Sequence, residues 1–389
     1  MKGAHVPSRH FPARDASNID SNLLAVLPPV DKLPFELLSS IFGMLSHETR
    51  NHLDLNGAPW TVSRVCNKWR HISLNSPMAW STLNLTDDVR NIYNAHVLLR
   101  LFLARSQSSP LHISVCFFTR GCEQVFGEVW KSRSRWESAI IRANYYVDFY
   151  SENNLGRDVW RALGVAAELE NLRSLQLDIP ARIEDKFLEI LVSAPLLQSL
   201  VLSPHMNPSF PLGTIRSLHC RPSNTADFIK VLRDAKHLTE CSFDFNGDLI
   251  GLSSPEVTHS GIRKLSTTHA SRAFDNVTLS NLEDLSVVYG CGGTGGLEPL
   301  VGLVLRSHKP LKRLELKFTF KLGEFLPLLE AAPSLTSLIL RRVPLSEVNP
   351  ILNALTWRDD SSTVVPHLKD VTIDFHDDRT NFWVDSSTE

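Results

Sequence analysis

Leu191 to Leu202 reads LVSAPLLQSLVL, and Leu329 to Leu340 reads LEAAPSLTSLIL. The second stretch repeats the first in length, in its Ala-Pro pair and in its Ser-Leu-x-Leu ending. Each ends on an apolar residue, two variable ones, an apolar residue, a variable one and a further apolar residue. The same spacing occurs at Leu172-Leu175-Leu177, Leu197-Leu200-Leu202, Ile215-Leu218-Cys220, Leu238-Cys241-Phe243, Ile262-Leu265-Thr267, Leu282-Leu285-Val287, Leu311-Leu314-Leu316, Leu335-Leu338-Leu340 and Leu368-Val371-Ile373. The last two positions of each copy alternate with polar residues, the period of a strand buried on one face. Weaker copies at Leu111 to Cys116 and Trp136 to Ile141 extend the pattern toward the N-terminus.

Between the strand signatures lie helical stretches, among them Asp185 to Ser193, Ala226 to Ala235, Leu297 to Ser307 and Phe325 to Ala332. Strand and helix therefore alternate. Such a unit cannot bury both of its apolar faces alone, so neighbours must stack. Successive copies are 18 to 33 residues apart, an irregular version of the leucine-rich-repeat period. The pattern resembles that family, which implies an α/β solenoid with a curved parallel sheet. The asparagine that follows the last leucine in the family's regular form is missing: Pro180 and His205 stand there in two copies.

In this register the solvent-facing strand positions include Ser174, Gln176, Ser199, Val201, Ser217, His219, Glu240, Asp244, Lys264, Asp284, Arg313, Glu315, Lys317, Arg341, Asp370 and Asp374. The charged ones, from Glu240 onward, are the candidate target-binding residues. Two readings stay open for this face, a protein-recognition surface and a solvated sheet.

Upstream, LPFELLSSIFGML from Leu33 places Leu37, Leu38, Ile41, Phe42 and Leu45 on one helical stripe, with Pro34 suited to the first position and Glu36 to the first turn. A second stripe runs through Val62, Val65, Trp69 and Ile72, with Thr61 able to cap it. Ser76-Pro77 then reads as the start of a third short helix before Trp80. Another helix is expected over Ile92 to Arg105. A helical unit this small leaves apolar surface over, which packs either on the downstream repeats or on another molecule.

Leu33-Pro34-x-Glu36-Leu37-Leu38-x-x-Ile41-Phe42, followed by Val65-Cys66-x-x-Trp69-Arg70 and Pro77-x-x-Trp80, resembles the F-box. The Asn56-Gly-Ala-Pro-Trp60 insertion is similar to the F-box-like variant abundant in fungi. The resemblance implies docking on a Skp-type adaptor and, through it, a cullin that carries ubiquitin-conjugating machinery. It makes Leu33, Pro34, Leu37, Leu38, Ile41, Phe42, Val65, Cys66, Trp69 and Trp80 the candidate adaptor-contact or framing positions. The expected organisation is a loose segment 1–30, an F-box-like helical module 31–85, an irregular solenoid 86–376 and a loose tail 377–389. The expected function is substrate recognition in a Skp-cullin-F-box ubiquitin ligase with an unknown protein target. The alternative is a repeat scaffold whose helical segment only caps the solenoid.

Bulk properties narrow the classes further. The 389 residues are 43% apolar, and 40 basic against 42 acidic side chains give a formal charge of -2. That balance supplies no general field for nucleic acid or anionic membrane. Cysteines at 66, 116, 122, 220, 241 and 291 are too scattered for a metal clip or a disulfide scaffold. Cys66 reads as a small buried hydrophobe. Met1 to Asp20 has no apolar signal-like core and no run is long enough to span a bilayer. An intracellular protein, cytoplasmic or nuclear, is expected.

Gly290-Cys-Gly292-Gly-Thr-Gly295 spells the dinucleotide fingerprint, but a strand-loop-helix repeat satisfies it without any phosphate. His47-Glu48-Thr-Arg-Asn-His52 has its histidines five apart, where a helical zinc site needs four. A binding protein without catalytic residue, cofactor or metal is therefore expected.

Overall fold

In the computed structural model every one of the nine apolar signatures lies on or against a strand, and the strands run parallel. The structure describes residues 29–86, 92, 94–117, 123–143, 169–178, 194–202, 212–245, 256–269, 272–288, 296–356 and 364–376. Residues 1–28 of the expected loose segment 1–30, the expected loose tail 377–389, the helix at 185–193, Pro180, His205 and the glycine run 290–295 lie outside them, while Pro29 and Val30 begin a 3-10 turn (Pro29–Lys32).

The chain is α/β. Among the described residues, twelve strands form one parallel sheet: β1 (Thr82–Leu85), β2 (Leu111–Phe117), β3 (Trp136–Ala143), β4 (Ser174–Asp178), β5 (Ser199–Leu202), β6 (Ser217–Cys220), β7 (Glu240–Phe243), β9 (Lys264–Thr267), β11 (Asp284–Val287), β12 (Arg313–Leu316), β13 (Ser337–Pro344) and β14 (Asp370–His376), paired in that order. The register aligns Leu175, Leu200, Leu218, Cys241, Leu265, Leu285, Leu314 and Leu338 in one buried row. Covering a Leu side chain contributes roughly 1.5–3 kcal/mol, so this row selects the register.

From β4 onward, one carbonyl at each strand entry accepts two N–H groups from the start of the next strand. The Arg216 carbonyl takes Thr239 and Glu240, Thr239 takes Arg263 and Lys264, Arg263 takes Glu283 and Asp284, and Glu283 takes Lys312 and Arg313. Residues just before the strands are thereby held in a second row.

Eight α-helices are described: α1 (Phe35–His47), α2 (Asn67–Leu74), α3 (Ala95–Arg105), α4 (Glu123–Lys131), α5 (Thr225–Asp234), α6 (Glu298–Arg306), α7 (Leu322–Glu330) and α8 (Leu345–Leu355). Among the described residues, strands follow one another with no α-helix between them from β7 to β11. Between β7 and β11 the short strands β8 (Val257–His259) and β10 (Val277–Leu279) pair in parallel, and they contact α5 and α6 respectively. His259 sets this region: its Nδ1 accepts the N–H groups of Gly261 and Ile262, and its Nε2 meets the Ala235 carbonyl at 3.0 Å. Gly261 is required there, because a Cβ would lie 2.5 Å from the Leu238 carbonyl oxygen.

Three further expectations are corrected. The stripe from Val62 to Ile72 is not one helix: a 3-10 turn (Val62–Arg64) precedes α2, and extended Cys66 interrupts them, its Sγ accepting the Trp69 N–H at 3.5 Å. Cys66 is thus exposed, not buried. Val371, expected in the core, is 45% exposed, because β14 ends the sheet order and pairs on one side only among the described residues.

Candidate functional site

α1 carries two neighbouring apolar stripes, and only one of them faces the core. Leu38 and Phe42 are buried, and Phe42 meets the Trp69 ring at 5.2 Å between centroids. Leu37, Ile41, Met44 and Leu45 form the other stripe and are exposed, Leu37 by 52% and Met44 by 61%. Residues at i, i+4, i+7 and i+8 lie on one side of a helix, so this is a continuous ridge.

The candidate positions therefore separate. Pro34, Leu37, Ile41, Val65 and Cys66 are exposed, while Leu33 and Trp69 are half-buried against the core. Leu38, Phe42 and Trp80 are interior and frame the surface rather than present it. The sequence reading left out exposed Phe35, Met44 and Met78. Met44 shares the spacing of the ridge and could have been found from it. Met78 lies in a 3-10 turn (Pro77–Trp80) packed on α1, with Ser76 and Ser39 hydroxyls bonded between them.

Beneath the ridge, one aromatic cluster joins the helices to the sheet. Trp80 contacts Trp60 at 5.0 Å and Phe102 at 5.3 Å, edge to face, and the Arg105 guanidinium lies 4.4 Å over Trp80 and 5.0 Å over Trp60. Burial pulls the Arg105 guanidinium below its ordinary value. His52 closes the seam: its Nδ1 accepts the Asn84 N–H of β1, and its Nε2 is 2.9 Å from both the Ser46 carbonyl and hydroxyl oxygens. Burial pushes the His52 imidazole down to about 4.

On the polar face of the sheet the register sets Glu240, Lys264, Asp284 and Arg313 side by side across four adjacent strands. Lys264 meets Glu240 at 2.7 Å and Arg313 meets Asp284 at 3.7 Å. Desolvation raises the Asp284 carboxyl, against the pull of Arg313 and Lys264. Glu315 departs from expectation: it is only 8% exposed, enclosed by Arg313, Lys317 and Arg341 at 3.2 to 3.8 Å. Desolvation raises its carboxyl, but hydrogen bonds and charge from these cations outweigh that and hold it below the usual range. Arg341 also reaches Asp374 at 2.7 Å. Asp244 and Lys317 stand at strand ends, and Asp370 is exposed on β14. The structure thus brings most of these candidate charges together, largely engaged with one another.

A cleft of about 520 Å³ opens where strands β7, β9, β11 and β12 begin, lined by Thr239, Glu240, Arg263, Lys264, Glu283, Asp284, Lys312 and Arg313. Among the described residues no helix is long and apolar enough to cross a membrane, and no group of three or more His, Cys, Asp or Glu is placed to hold a metal. The fingerprint at 290–295 lies outside the described residues. Compared with models of known protein families and with curated proteins, the chain matches none.

Proposed function

We propose that this chain is a substrate-recognition subunit of a Skp-cullin-F-box type ubiquitin ligase. The ridge on α1 docks on a Skp-type adaptor, and the stacked strands, a leucine-rich-repeat solenoid, hold a protein target. The chain supplies no catalytic residue in this scheme. It raises the effective concentration of a target near chemistry recruited in trans. The observation that carries the proposal is the apolar ridge Leu37, Ile41, Met44 and Leu45, left exposed beside the fully buried stripe of the same helix. Helix faces of this kind fit partner grooves.

The test is capture of a purified Skp-type adaptor by the full chain. Leu37→Asp with Ile41→Asp removes two apolar anchors, each worth roughly 1.5–3 kcal/mol when covered, and places charges in the contact. Recovery should fall by at least about a hundredfold while the melting temperature stays close to wild type. Equal recovery would favour a second reading, a repeat scaffold in which the helices only cap the sheet. The aromatic cluster of Trp60, Trp80, Phe102 and Arg105 supports that reading, since it covers the β1 end of the core as a cap must.

A further inference from the structure

The two edges of the sheet differ in charge. Where strands end and helices begin, the first helical turns carry Asp227, Glu298, Glu324 and Glu347. Where strands begin, the row fixed by the shared carbonyl bonds carries Arg173, Arg216, Arg263, Lys312 and Lys369, with Glu283 the row's one carboxylate from β4 onward. Lys309 and Lys312 both engage Glu283, at 3.5 and 3.0 Å, and Arg173 engages Glu137 at 3.7 Å.

Arg216, Arg263 and Lys369 have no carboxylate partner among the described residues, nor does Lys236 in the turn before β7, and all four are exposed. Helix dipoles account for cations in last turns, such as Arg233 and Arg306. They do not account for Arg263, which follows β8 rather than a helix. In the cleft, Glu240, Glu283 and Asp284 are matched by Lys264, Lys312 and Arg313, which leaves Arg263 uncompensated. In a molecule with a formal charge of -2, this edge thus presents exposed cations that no carboxylate among the described residues pairs.

We infer that this edge, from Arg216 through Lys236 to Arg263 and into the cleft, binds an acidic peptide segment of a partner protein. Strands β6 to β12 cover four inter-strand steps of about 4.8 Å, a span of roughly 19 Å that about six extended residues match. Pairing of opposite potentials favours a carboxylate-rich segment and speeds its encounter. This names the chemistry of the target in the function proposed above and so rests on the sheet being the target-holding part, but not on the α1 ridge.

The test uses the full chain and three fluorescent peptides of about ten residues, alternating Ser with Glu, Gln or Lys. The Glu peptide should bind at about 50 mM ionic strength, weaken as salt rises, and exceed the others by at least tenfold. Arg216→Glu/Lys236→Glu/Arg263→Glu should lose that preference, and the milder Arg216→Gln/Lys236→Gln/Arg263→Gln should lower the affinity severalfold at an unchanged melting temperature. Lys230→Glu/Lys321→Glu, away from this edge, should bind as wild type. Equal loss in that control, or no preference for the Glu peptide, overturns the inference. Tighter binding of a single-stranded oligonucleotide of equal charge overturns the peptide assignment. Adaptor capture in the same samples is read separately, so failure at the edge leaves the α1 proposal standing.

Discussion

His52 shows how one side chain ties two parts of the chain. Its ring accepts from β1 and meets the end of α1, both with Nε2 and Nδ1 engaged in the neutral form. The imidazole titrates near 6.5 when unfolded and near 4 when folded, so between those values the unfolded chain binds more protons. This contribution is complete above pH 6.5 and is lost as the pH falls toward 4, about 2 kcal/mol of it by pH 5. Urea unfolding at pH 7 and pH 5 should show the loss, and His52→Gln should flatten the difference. An unchanged pH slope in that variant would show that other groups set it. Glu315 behaves oppositely at the same scale: an expected surface charge, it is nearly enclosed, because Arg313 and Lys317 flank it along its own strand and Arg341 reaches it from β13.

Among the elements, α1 separates what periodicity can read from what it cannot. Spacing alone merged Leu37, Leu38, Ile41, Phe42 and Leu45 into one stripe, since all fall within the apolar half of the helix. Which part of that half turns inward depends on where α2 and the Pro77–Trp80 turn pack, a tertiary fact. Leu38→Ala should therefore cost about 2–5 kcal/mol, while Leu37→Ala should stay within about 0.5 kcal/mol. Parallel denaturant melts decide it, and equal costs would mean that the ridge is covered. The strand signatures were legible because Leu175 or Leu338 needs only a period of two and a buried face. β1 carries the same spacing, Trp80-x-x-Leu83-x-Leu85, but Trp80 also closes the F-box-like pattern, and that overlap hid the strand. β8 and β10 were hidden for a different reason: three-residue strands such as Val257-Thr-His259 are too short to show any period. The break before α2 turns on Cys66 acting as a cap, an uncommon donor-satisfying side chain at that position.

Across the whole molecule, the helical segment and the sheet share one continuous core, which runs from Leu38 and Phe42 through Trp80, Leu83 and Phe102 to Ile351 and Val365. A docking module free to swing on a linker would need a separate core. Here Trp80 is fully buried, donates its indole N–H to the Ser73 carbonyl at 2.8 Å, and packs on Phe102 and Arg105 of α3. Any partner held on the α1 ridge is thus fixed in direction relative to the basic strand-start edge. Trp80→Ala should consequently cost about 3–5 kcal/mol and loosen both parts together. In native-state hydrogen exchange, the amides of α1 and of β2 should become faster in parallel. Acceleration confined to α1 would reveal two independent folding units, and the rigid geometry between ridge and edge would have to be abandoned.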